Sequence, residues 1–187
     1  MPCTPEELFA YLDSLGISHK TVTHPAVFTV EEGRALRGQI ADQIADQAGS
    51  QVGSQIAGEV AGAHTKNLFL RDKKGTPFLI VALEETAIEL RSLHRLVGAS
   101  GRFSFGSAER MRELLGVEPG SVTPFAAIND SAGRVNVVLD AAMMAHAVLN
   151  FHPLVNTATT TISRDDLVRF LQATGHRPVI VALSATG

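Results

Sequence analysis

The stretch Ala63-His64-Thr65-Lys66-Asn67-Leu68-Phe69-Leu70-Arg71 runs from a polar cluster straight into an apolar, β-prone run. Leu68, Phe69 and Leu70 read as a buried strand, with Lys66 and Asn67 at its entrance. A lysine there offers three donors and a fixed positive charge, and an asparagine both donates and accepts. The pair suits a ligand bearing a phosphate, a carbonyl or a ribose. It also suits a plain solvated strand end, and the rest of the chain has to decide between the two.

Working outward, Thr4-Pro5-Glu6-Glu7 is a helix start, followed by the stripe Leu8, Phe9, Leu12, Leu15 and a stop at Gly16. His19 to Thr23 is a short strand, and His24-Pro25 forces an extended turn. Thr29 caps a second helix that ends near Gly38. Downstream, Asp72-Lys73-Lys74-Gly75 is a hairpin turn, with Pro77 to Ala82 as the return strand. Ile88 to Val97 is a helix, Arg102 to Phe105 a strand, and Ala108 to Leu115 a helix capped by Ser107 and ended by Gly116. Phe125 to Ile128 and Val135 to Leu139 read as strands, and Ala141 to Ala145 as one helical turn. Val148 to Pro153 and Thr157 to Ile162 are strand-like. Ser163 starts a last helix to about Thr174, before a final strand from Val179 to Leu183. Irregular alternation with several hairpins means an α+β, mixed α/β arrangement: a mixed sheet flanked by helices.

Residues 39–62 form six tetrads, from Gln39-Ile40-Ala41-Asp42 to Glu59-Val60-Ala61-Gly62. A four-residue period overshoots the helical repeat by roughly 40° per tetrad. The segment reads either as a solvated insertion in a loop or as a lid or RNA-contacting flap ending just before Lys66.

Composition sets the bounds. The 187 residues make one domain, 1–187, carrying that insertion. Cys3 is the sole cysteine, which excludes an internal disulfide and fits a reducing, cytoplasmic setting. No apolar run approaches the ~20 residues of a membrane span, so no membrane partner is expected. A net charge of −3 argues against bulk phosphate binding, though not against gripping the end of a nucleic acid. There is no P-loop, dinucleotide fingerprint, H-E-x-x-H or G-x-S-x-G, and the seven histidines are scattered. No metal and no cofactor are expected.

Two further elements have chemical potential. Gly116-Val117-Glu118-Pro119-Gly120-Ser121 is either a loop that aims backbone amides at a carbonyl oxygen or an ordinary helix cap and turn. His152, just before Pro153, either orients a substrate or water or is a satisfied, half-buried histidine.

Thr65-Lys66-Asn67-Leu68-Phe69-Leu70, Gly116 to Pro124 and Asn150-Phe151-His152-Pro153-Leu154 occur in an order and spacing that resemble the YbaK-like, prolyl-tRNA-synthetase-associated editing domains. His24 to Glu32 and Thr157 to Ile162 support the resemblance, and only the tetrads are foreign to it. The resemblance implies a largely antiparallel, partly barrel-like sheet and an aminoacyl-tRNA deacylase that hydrolyses mischarged tRNA(Pro). The wording around Lys66 and Phe28-Thr29-Val30 looks like the freestanding branch that removes alanine. The branch that removes cysteine is the near alternative, and a non-catalytic nucleic-acid-binding module is a third. On this reading the catalytic set is Lys66, Gly116, Gly120 and His152. Phe28, Thr29, Val30, Asn67, Pro119, Ser121 and Phe151 would bind substrate. The partner is the acceptor end of tRNA(Pro), with docking on prolyl-tRNA synthetase left open, and no general base is assigned.

Overall fold

A computed structural model describes residues 1–29, 31–35 and 62–184 of the protein. Val30, the expected helix end near Gly38 and the tetrads from Gln39 to Ala61 lie outside the described residues. The elements in order are α1 (Pro5–Ser14), β1 (His19–Thr23), β2 (Ala63–Arg71), β3 (Pro77–Leu83), α2 (Leu90–Leu96), β4 (Ser104–Phe105) and α3 (Ala108–Leu115). A 3-10 segment Pro124–Asn129, β5 (Asn136–Asp140), a 3-10 turn Met143–Ala145, β6 (Val148–Phe151), β7 (Ala158–Ser163), α4 (Arg164–Ala173) and β8 (Val179–Val181) complete it. Residues 31–35 are helical.

The eight strands form one mixed sheet in the order β1-β7-β6-β2-β3-β5-β8, with β4 added to β2. Pairings β1–β7, β7–β6, β2–β3 and β2–β4 are antiparallel, whereas β2–β6, β3–β5 and β5–β8 are parallel. Helices cover it. Leu79, Val81 and Leu83 of β3 enter a large core with Leu8 and Leu12 of α1, Leu114 of α3 and Phe170 of α4. Phe78, Ile80 and Ala82 point the other way, into a smaller core closed by Leu93 of α2. β3 is therefore buried on both faces, which explains its unbroken apolar run.

Local capping chemistry sets most boundaries. Thr4 and Glu7 form a reciprocal capping box, with Thr4 N–H donating to Glu7 Oε2 at 2.8 Å and Glu7 N–H to Thr4 Oγ1 at 3.2 Å. Ser107 and Ser163 cap α3 and α4 through their hydroxyls alone, which accept from Arg110 and Asp166 N–H. Three expectations need correction. Lys66 and Asn67 lie in the middle of β2, not at its entrance, because the strand begins at Ala63. Phe125 to Ile128 is 3-10 helix, not strand: Pro124 fixes the first turn and Thr123 Oγ1 accepts from Phe125 N–H at 3.3 Å. The strand around Arg102 shrinks to Ser104–Phe105.

Gly116 ends α3 in the left-handed conformation, with φ of 63°. A Cβ there would lie 2.7 Å from Pro2 Cβ and 2.8 Å from Asn129 Nδ2. That amide also donates to Leu115 O at 2.8 Å. Gly116→Ala should therefore lower unfolding free energy by roughly 1–3 kcal/mol, from left-handed strain plus a clash. Denaturant titration checks this, and an unchanged midpoint contradicts it.

Candidate active site

The pairing of β2 makes the site. Glu84 N–H donates to His64 O at 3.0 Å, and Asp72 N–H to Thr76 O at 3.1 Å. With the β2–β3 register, this puts His64, Lys66, Leu68 and Leu70 in hydrogen-bonded pairs with β3. Thr65, Asn67 and Phe69 then turn their N–H and C=O groups to the opposite edge. On that edge β6 meets only Ala63 and His64, and β4 meets only Leu70 and Arg71. The sheet is split between them. Phe69 O accepts from Gly106 N–H at 2.9 Å, but among the described residues nothing pairs with the main chain of Asn67.

A cavity of about 360 Å³ borders the split, lined by Thr65, Lys66, Asn67 and Leu68 along β2. Strand alternation supplies much of the rest: Val22 from β1, Thr159 from β7, Asn150 from β6, and His24 and His152 just beyond their strands. Gly120, Phe28 and Thr29 close the mouth.

Lys66 Nζ donates to Thr86 O. Thr86 Oγ1 in turn donates to the fully buried Asp140 at 2.8 Å. The ammonium is thus anchored by a neutral carbonyl and keeps two further N–H groups. Glu84, also at the cavity, pairs with Arg34 of the 31–35 helix at 3.1 Å.

His152 Nδ1 lies 3.0 Å from Ala158 O. A carbonyl only accepts, so Nδ1 carries the proton and Nε2 of the neutral ring is an acceptor. His24 is held from both sides, by Pro25 O at 2.8 Å and Thr159 Oγ1 at 2.9 Å. The two rings stand 6.3 Å apart. Burial pushes the His152 pKa below its ordinary value; the Ala158 carbonyl opposes this, and His24 adds to the lowering.

Gly120 has φ of 91°, and a Cβ on it would sit 3.0 Å from Phe28 Cδ1. The Phe28 ring rests there, 65% exposed, so it forms a rim and not a buried wall. Glu32 Oε2 accepts from Phe28 and Thr29 N–H at 2.7 and 3.1 Å and fixes that rim. Phe151, 2% exposed, is the inner wall.

The chain thus brings Lys66, Asn67, Gly120, His152, Phe28, Thr29 and Phe151 to one cavity. Gly116, Pro119 and Ser121 do not line it. The Gly116 amide donates to Arg112 O at 3.0 Å and the Ser121 amide to Glu118 O at 2.9 Å, so both serve the helix end and its turn. The expected multi-amide cradle reduces to Gly120. Sequence reasoning missed His24, Asn150 and Thr159. Asn150 was within reach, since period-2 spacing puts it on the same side as His152. Asn67 Oδ1 and Asn150 Nδ2 are buried without a hydrogen-bond partner among the described residues. No group of three or more metal-ligating side chains occurs among the described residues, and no helix there is long and apolar enough to cross a membrane.

Among the described residues the hollow is small and partly apolar, with one lysine, the neutral His152 imidazole and open polar groups, an arrangement suited to the end of a polar ligand. The aminoacyl-tRNA editing domain model matches residues 44–170, and the chain belongs to that family. It is 36% identical over 179 residues, 94% of each chain, to prolyl-tRNA synthetase associated domain-containing protein 1 of Mus musculus. It is 31% identical over 172 residues to the prolyl-tRNA editing protein ProX of Acetoanaerobium sticklandii, covering 91% of this chain and 92% of that one. The fold resembles the hypothetical protein APE2540, with a TM-score of 0.63 at 18% identity over 93% of this chain and 97% of that one. A structure described as a candidate trans-editing enzyme for prolyl tRNA synthetase also has a TM-score of 0.63, at 20% identity over 95% and 96%.

A proton NMR titration should place the His152 pKa below the ordinary ~6.5, and His24→Gln should raise it. The unfolded chain then takes up the proton first as pH falls, so this group's contribution to stability is present above ~6.5 and lost through acid. A value above 6.5 contradicts the burial argument.

Proposed function

We propose that the protein hydrolyses the ester joining a wrong amino acid to tRNA(Pro), with alanine as the preferred acyl group. The observation that carries this is the single cavity shared by Lys66, Asn67, Gly120 and His152 in a chain of the editing family. Two relatives named for prolyl-tRNA editing or for association with prolyl-tRNA synthetase support the choice of tRNA.

The hollow, near the lower end of small-ligand sites, suits a terminal acylated nucleoside and not a stem. Contact with only that end fits a chain of net charge −3. Lys66 uses its spare N–H groups on the terminal nucleotide's phosphate or ribose. The Gly120 amide and the β2 edge supply donors to the ester carbonyl, and His152 Nε2 accepts from the attacking water or a ribose hydroxyl. Water oxygen bonds the acyl carbon, the acyl–oxygen bond to the ribose breaks, and the water's proton ends on the ribose oxygen. Alanine and uncharged tRNA leave. An aminoacyl ester is already activated, so a factor of ~10³ needs only about 4 kcal/mol. The buried Phe151 wall, with Val22, Val27 and Val122, limits side-chain size, as the second sieve of editing requires.

Deacylation of alanyl, cysteinyl, seryl and prolyl esters of the same tRNA(Pro), side by side, tests the reading. Alanyl ester should go fastest and prolyl ester should be spared. Lys66→Ala should lower kcat/KM by about 10- to 100-fold, the worth of one charged hydrogen bond. No rate above buffer with any ester would refute it.

A further inference from the structure

We propose that the open edge of β2 at Asn67 binds the aminoacyl group through main chain, as one added residue of an antiparallel strand; this rests on the deacylase reading above. Asn67 turns both its N–H and its C=O into the split between β6 and β4, where no strand among the described residues takes them up. Its side-chain Oδ1 is buried and without a partner as well. Unpaired main-chain groups at a half-buried edge such as this are costly unless water or a ligand satisfies them.

A residue that shows one donor and one acceptor to the same side is complemented by another residue doing the same. Hydrogen-bonded pairs in antiparallel sheets exchange two such bonds. An aminoacyl ester carries that pair of groups on one residue. Its ammonium donates to Asn67 C=O, and its ester carbonyl accepts from Asn67 N–H. As water adds, negative charge develops on that carbonyl oxygen, and the Asn67 N–H bond strengthens with it. The edge thereby supplies a donor that the Gly116 and Ser121 amides, already committed to the helix end and turn, do not.

The same geometry aims the acyl side chain. Paired residues across an antiparallel ladder project their side chains to the same face. Asn67 shares its face with Phe69, and both Phe69 and Phe151 belong to the large core. The acyl side chain therefore points at a closed aromatic wall, while its backbone atoms are read without regard to identity. Size is checked on one face and the α-amino acid character at the edge.

The test uses two esters of the same tRNA(Pro): alanyl and propionyl, which lacks the amine. Each rate is divided by that ester's uncatalysed hydrolysis, because the ammonium itself activates the ester. The acceleration for the propionyl ester should fall about 10- to 100-fold below that for alanyl. Asn67→Ala, whatever it does to the absolute rate, should keep that preference, since the main chain remains. Equal acceleration of both esters, or loss of the preference in Asn67→Ala, would overturn the inference and leave the deacylase reading standing. If no ester is hydrolysed, the deacylase reading fails, and binding is read separately. On titrating 15N-labelled protein with 3′-alanylamino-3′-deoxyadenosine, the Asn67 main-chain amide should be among the most shifted resonances. An unmoved Asn67 amide with saturable shifts elsewhere overturns the edge-binding mode.

Discussion

One strand with one closed edge and one half-open edge governs this molecule. β2 is paired to β3 along seven residues, from Thr65 opposite Leu83 to Arg71 opposite Pro77. On its other side it touches β6 and β4 only at its ends. The closed edge fixes which residues face which way. The open edge then exposes a fixed donor and acceptor that no side-chain substitution removes, apart from proline. Positioning a ligand group on a strand inside a sheet is stiffer than positioning it on a loop.

The surroundings show how the fold tolerates the split. Phe125 meets both Phe151, the inner wall of the cavity, and Phe170 edge to face, with ring centroids 5.9 and 5.4 Å apart. This aromatic packing backs the Phe151 wall from the core side. Above it, the polar ladder of Asn150, Thr161 and Thr65 ties β6 to its neighbours by side chains. Thr161 Oγ1 donates to Asn150 Oδ1 at 2.7 Å and Thr65 Oγ1 to Asn150 O at 2.8 Å. Lys66 is fixed to a neutral carbonyl and not to a carboxylate, so its charge is not cancelled at the anchoring atom. His152 is kept neutral by burial, with its free nitrogen as an acceptor.

Much of the fold was legible because helix ends are written locally. Thr4-Pro5-Glu6-Glu7, Ser107 and Ser163 with Asp166 each declare a cap within four residues. The misreadings have a common cause, which is that strand pairing is non-local. Pro124-Phe125-Ala126-Ala127-Ile128 has β-prone residues, yet the preceding Thr-Pro pair wins and winds it into 3-10 helix. Nothing in the sequence near Lys66 says where β6 will stop, so the split and the unpaired main chain of Asn67 among the described residues were invisible. Within the Gly116 to Gly120 loop both glycines take positive φ, but only Gly120 reaches the cavity. Residue type alone does not separate a helix terminator from a rim. His24 was missed because His24-Pro25 reads as a turn, and its second bond, to Thr159, comes from 135 residues away.

The most direct measurement is a crystal structure of the protein with 3′-alanylamino-3′-deoxyadenosine, whose amide does not hydrolyse. The account predicts the alanyl group in the gap between β6 and β4, its carbonyl oxygen within about 3 Å of Asn67 N and its methyl group toward Phe151. A ligand seated outside that gap, with the Asn67 main chain still unpaired or filled by water, would contradict it.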